Sequence, residues 1–279
     1  MGKHNRDDLT IEMKDLENKS RVYLERKTPV IIRLDGKAFH TFTKNFDKPF
    51  DEILISSMKA TMLYLCEHIQ GCVFGYTQSD EITLVLTDYA KETTDAWFGY
   101  NIQKMASISA SMATLRFNQV FCDAVENAII DAGNEGELDV TSKYEKAMIN
   151  GAVFDSRAFN VPLERVADSV AWRQNDCVRN SVQSLGQSKF SPNQMMNKSV
   201  EDVKTMLKEE FGVVWDELPN DKKYGSSCYR VPTEMSVPIP GRGSVDVVRN
   251  KWTIDDNVPM FKENPEYISR WCVFDEPEV

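Results

Sequence analysis

Residues 72–86, CVFGYTQSDEITLVL, constrain the fold of this chain more than any other stretch. Two runs rich in aromatic and β-branched residues flank the polar tip Gln78-Ser79-Asp80-Glu81, the pattern of a β-hairpin. Upstream, the apolar run VIIRL at 30–34, preceded by Pro29, is a strand that stops at Asp35-Gly36. Between the two, Ile53, Leu54, Met58, Met62, Leu65 and Ile69 recur at helical spacing, with Asp51 as N-cap and Gly71 as stop. Residues 93–117 read as a second long helix started by Thr94 or Asp95, and GAVFDSRAF at 151–159 reads as a further strand. The order is strand, helix, strand, strand, helix, strand: βαββαβ, the split ferredoxin-like arrangement of an α+β fold.

The rest of the chain decorates this unit. Residues 8–27 read as a charged helix, and residues 123–149, acidic and weakly patterned, as an insertion over the surface. A helix is expected over 163–185 and another over 199–212, with Ser199 and Asp202 as a capping-box-like start and Gly212 as the end. The Pro/Gly-rich segment 225–260 reads as a β-hairpin arm. The expected organisation is a core over 1–162 and a helical and hairpin extension over 163–279 packed on it as one continuous domain.

Composition narrows the function classes. No run approaches the roughly 18 apolar residues a membrane helix needs, and the charged N-terminus lacks a signal-peptide core. The expectation is a cytoplasmic protein without a membrane partner. Six scattered cysteines and three histidines offer neither zinc-ligand spacing nor a disulfide framework. A net charge of −10 argues against a sequence-blind nucleic-acid binder, but not against an enzyme with a local basic groove.

The chemistry concentrates at two acids. Asp-Gly after a strand is by itself an ordinary turn, and Ser-Asp-Glu at a hairpin tip an ordinary solvated loop. In a βαββ unit, however, the strand ending at Asp35 and the hairpin carrying Asp80 can reach one sheet edge. Two carboxylates and the Gly36 carbonyl would then offer hard oxygen ligands suited to Mg²⁺. Two such ions can clamp an in-line phosphoryl transfer. Gly36, without a Cβ, lets phosphate and metal approach the backbone.

RLDGKAFHTF, DKPFD, GYTQSDE and WRQNDC, in that order over about residues 28–230, resemble the motifs of the tRNA(His) guanylyltransferase family and its Thg1-like relatives. The resemblance implies a polymerase-palm-like antiparallel sheet flanked by helices. It implies a Mg²⁺-dependent nucleotidyltransferase that adds nucleotides, GTP favoured, in the 3′-to-5′ direction to the 5′ end of tRNA after activation with ATP. It also implies a homotetramer. Carried over by position, Asp35, Gly36 and Asp80 would hold two Mg²⁺ ions. Asp35, Gly36, Lys37, Ala38, Phe39, His40, Ser79 and Asp80 would bind nucleotide, and Glu81 and Lys48 would join Asp35 and Asp80 in catalysis. On the helix of WRQNDC, Arg173, Asp176 and Asn180 fall three and four apart on one face and Arg179 adds charge, so this face is expected to contact RNA.

The chain departs from the family just beyond that point. The tRNA(His) enzymes continue with His-Ile-Asn-Asn-Leu-Tyr-Asn, whereas this chain has Val178-Arg179-Asn180-Ser181-Val182-Gln183-Ser184, matching only at Asn180. The change resembles the Thg1-like branch, which implies templated repair of truncated 5′ ends. Two other readings fit the same acids: a nucleotidyl cyclase, and a catalytically silent RNA-binding protein with the same fold.

Overall fold

The computed structural model describes residues 3–239 and 243–274. Six strands form one antiparallel sheet: β1 (Val30–Gly36), β2 (Cys72–Gln78), β3 (Glu81–Leu86), β4 (Phe154–Asn160), β5 (Ser226–Ile239) and β6 (Gly243–Asp255). Their order is β4-β1-β3-β2-β5-β6. The first four strands in that order are the expected βαββαβ core, and β5 and β6 extend the same sheet from the edge of β2.

Alternation along the strands decides what packs where. Val30, Ile32 and Leu34 of β1 with Ile82, Leu84 and Leu86 of β3 face α2 (Glu52–His68) and α3 (Ile102–Asn150). The neighbours in between, Ile31 of β1 and Val85 of β3, face Val166 and Val170 of α4 (Val166–Gln187) and the chain around Phe261. A third cluster joins the end of α4 to α5 (Val200–Phe211) through Val182, Leu185, Val203 and Leu207. The N-terminal helix, α1 (Lys3–Asn18), is exposed from Asp8 to Asn18 and ends well short of the expected residue 27.

Local signals fix the helix ends. Asp51 caps α2 by accepting from the Leu54 N–H, and Ser199 and Asp202 form the capping box of α5. Gly212 ends α5 in the left-handed region at φ 66°. The long helix α3 starts later than expected, at Ile102 behind an Asn101 cap, because Trp97–Tyr100 forms a 3₁₀ turn first. Residues 123–149 are helical on both sides of a kink: α3 breaks at Gly133, at φ 62° and ψ −173°, and a second helical stretch runs on to Asn150. A periodic apolar set lies on both sides of the Gly133-Asn134-Glu135-Gly136 interruption. Val125, Ile129, Val140, Tyr144 and Ala147 all return to the core. No described helix is long and apolar enough to cross a membrane.

Candidate active site

The site grows from the ends of β1, β2, β3 and β4. Gln78 pairs with Glu81, so Ser79 and Asp80 alone make the hairpin turn, with Ser79 at φ 50°. Asp35 lies in register with Glu81 on one side and Asp155 on the other. The Gly36 N–H donates to the Asp80 carbonyl at 3.1 Å, which ties the two acid-bearing corners together. The sequence brought Asp35 and Asp80 into question; the sheet places them at one edge.

Electrostatically this edge gathers negative charge. Burial first, and then the neighbouring Asp35 charge, push the Asp80 carboxyl up to about 6. Asp35 is raised as well, by burial and then by Asp155, with Arg157, Arg33 and Arg173 pulling the other way. Repulsion between the two acids falls mainly on Asp80, the more buried of the pair. Neither carboxylate has an ion-pair partner among the described residues; the side chain that donates to Asp80 is Ser79, at 3.1 Å. Asp155, which sequence reasoning passed over inside its strand, makes this a three-acid edge. It is itself paired with Arg157 at 2.8 Å. Its only sequence signal was strand parity, readable once β4 is known to pair with β1.

A cleft of about 500 Å³ opens beside the acids, walled among others by Gly36, Ala38, His40, Lys48, Ser79 and Asp80. Ala38 and Ser79 both occupy the left-handed region, at φ 54° and 50°. A Cβ on Gly36 would lie 2.3 Å from the Phe39 ring, so any larger residue must displace that ring. Phe39 itself turns inward. It is buried and packs against Phe42, Phe117 and Phe154, so toward the cleft it offers mainly backbone. The Lys48 ammonium donates to the Thr43 carbonyl at 3.3 Å and otherwise stays exposed at the rim. Asp51 holds the far wall, accepting from Leu54 N–H, Asp47 N–H and the Tyr144 hydroxyl at 2.9, 3.0 and 2.8 Å.

The remaining expected residues lie outside this cleft. Lys37 is exposed and lines a separate cleft on the far side of Ala38. Glu81 is buried and held bidentately by Arg173 at 2.7 and 2.7 Å. Arg173 also donates to Asp176 at 2.8 Å, and Arg179 pairs with the same carboxylate. The arginine-rich face of α4 is thus internally paired, with Arg173 only 12% exposed and Arg179 62% exposed. Asn180 lines a smaller pocket of about 120 Å³ that shares Ser79 and Ser184 with the acid cleft. The Gln78 Oε1 atom in its wall is buried without a hydrogen-bond partner among the described residues. Val178, standing where the tRNA(His) enzymes carry histidine, packs into the cluster between α4 and α5.

An antiparallel palm-like sheet with two acids free of ion pairs among the described residues, beside a cleft of about 500 Å³, fits a transferase. The comparisons give the particular family. The model of the Thg1 family, tRNAHis guanylyltransferase, matches residues 10–162, and the chain belongs to that family, one of transferases. A bacterial tRNA(His) guanylyltransferase (Thg1)-like protein solved in complex with ATP superposes with a TM-score of 0.78 at 33% identity, covering 96% of this chain and 100% of that one. A structure of such a protein in complex with GTP gives 0.74 at 32% identity, covering 95% and 98%. An uncharacterized protein of Acanthamoeba polyphaga mimivirus is 30% identical over 76% of this chain and 74% of its own length. The tRNA(His) guanylyltransferase 2 of Arabidopsis thaliana is 26% identical over 75% of this chain, which spans only 37% of that protein.

Proposed function

We propose that this protein adds nucleotides, GTP favoured, in the 3′-to-5′ direction to the 5′ end of a tRNA, with Mg²⁺ as its metal. The observation that carries the reading is the pair Asp35 and Asp80 at one sheet edge, both raised and neither ion-paired among the described residues, beside a cleft walled by Gly36, Ala38, Phe39 and His40. Likeness to nucleotide-bound relatives supports it.

Two carboxylates without an ion-pair partner among the described residues fit a hard divalent cation, and Asp35, Asp80 and the Gly36 carbonyl would hold it. Bound there, such a metal supplies charge neutralisation on the phosphates and polarisation of the attacking and leaving oxygens. The chain's own residues orient the reactants. The loop from Gly36 to His40 lets polyphosphate lie close to backbone, and the Lys48 ammonium at the rim offsets phosphate charge. Arg173 fixes Glu81, and with it the start of β3, so that Asp80 is presented from a rigid turn. The 3′-hydroxyl of the incoming nucleotide attacks the phosphorus of a 5′ end activated with ATP. The new 3′-oxygen–phosphorus bond replaces the phosphoanhydride bond at that phosphorus, the activating phosphate group departs with the bonding electrons, the hydroxyl proton passes to solvent, and the incoming triphosphate becomes the new 5′ end. Packing of Val178 where the tRNA(His) enzymes have histidine fits templated repair of truncated ends better than a fixed guanylate addition.

The direct test incubates the purified protein with Mg²⁺, labelled GTP and 5′-triphosphorylated tRNA lacking its first nucleotide. Label entering the 5′ end, and lost in Asp35→Asn and Asp80→Asn, is expected. A folded protein that labels no tRNA tried refutes the reading. The same reading carries a homotetramer in the cytoplasm, and light scattering that gives a fully active monomer would remove the assembly from it.

A further inference from the structure

A second cleft, of about 410 Å³, lies behind the acid cleft, and Ala38 forms part of both walls. Its lining brings together Lys37 and Lys44 from the loop after β1 with Lys143, Lys146 and Asn150 from the last turns of α3. No carboxylate lines it. Lys143 is committed to Asp47, at 2.8 and 2.9 Å. The ammonium groups of Lys37, Lys44 and Lys146 form no ion pair or side-chain hydrogen bond among the described residues. In a chain of net charge −10, convergence of uncommitted lysines on one concavity is a local excess of positive charge.

We propose that this second cleft holds the phosphodiester backbone of the RNA strand whose 5′ end enters the acid cleft, an inference that rests on the function proposed above. Several features select an RNA backbone over a second free nucleotide. A triphosphate travels with a divalent cation that seeks carboxylate oxygens, and this lining has none. Lysine ammoniums are mobile point charges that neutralise phosphates without reading a base. The shared Ala38 wall makes the two clefts neighbours, as consecutive phosphates of one strand require. Two of the lysines come from the turns of α3 beyond Gly133, which gives that half of the helix a role besides packing.

The test uses the full chain with Lys44→Ala and Lys146→Ala combined, both exposed positions. Binding to a tRNA lacking its first nucleotide is measured between about 50 and 200 mM salt, and GTP binding is measured separately. Each lost phosphate contact flattens the slope of log K against log salt by about 0.7–0.9, so the double variant should lose about 1.4–1.8 of slope while GTP affinity stays put. Lys146→Glu should weaken RNA binding further, with an unchanged circular dichroism spectrum. An unchanged slope overturns the proposal, and so does a loss of GTP affinity, which would make this a nucleotide pocket. If the parent extends tRNA but the double variant keeps its slope, only this inference falls. If the parent neither binds nor extends tRNA, the proposed function falls with it.

Discussion

Replacing Arg173 should damage the fold before it damages anything else. Its guanidinium meets Glu81 through two bonds of 2.7 Å, and the side chains are 12% and 7% exposed. Arg173→Ala leaves the Glu81 carboxylate buried without a cation, a loss that costs about 3–5 kcal/mol for pairs of this kind. The released Asp176 keeps Arg179, so it adds little to the cost. A chain of this size shifts by about 2 °C per kcal/mol, which places the expected fall in Tm at about 6–10 °C. The assay is thermal and urea unfolding of the parent, Arg173→Ala, and Arg173→Met combined with Glu81→Leu. The double variant replaces both charges with apolar groups and should recover most of the loss. A single variant that melts within about 2 °C of the parent while losing RNA affinity would refute the reasoning and return Arg173 to the RNA.

Other consequences follow from the same geometry. Asp80 is raised in the fold to about 6 from an ordinary 3.8, so its proton is bound more tightly when folded. Stability is therefore lost as pH rises from about 4 through about 6, and Asp80→Asn should be neutral at pH 4 and stabilising by about 2–3 kcal/mol above pH 7 without metal. Urea titrations across pH check this, and a flat difference would contradict it. Mg²⁺ should raise the Tm of the parent but not of Asp80→Asn, read by calorimetry with and without chelator. Gly36→Ala must displace the Phe39 ring from its aromatic cluster, with an expected loss of about 1–3 kcal/mol and of nucleotide affinity, measured by unfolding and by GTP titration. Tyr144→Phe leaves the buried Asp51 short of one donor and should cost about 1–3 kcal/mol in chemical denaturation.

The sequence by itself determined the order of strands and helices, because periods of 2 and 3.6 are local properties of apolar spacing. It also determined the caps at Asp51 and Ser199, and the two acids worth bringing together, since strand ends and hairpin tips are visible as interruptions of those periods. Other features depended on which surfaces meet. Asp155 joins the acid edge only because β4 pairs with β1 in a register no local pattern encodes. Arg173 turned from a free cation into the partner of Glu81 because α4 packs across the sheet. Residues 123–149 are helical on either side of the Gly133 kink because distant apolar side chains receive Val125, Val140 and Tyr144, partners that the weak local pattern does not reveal. Long-range pairing and burial are sums over partners far apart in the chain, and only the folded arrangement supplies those partners.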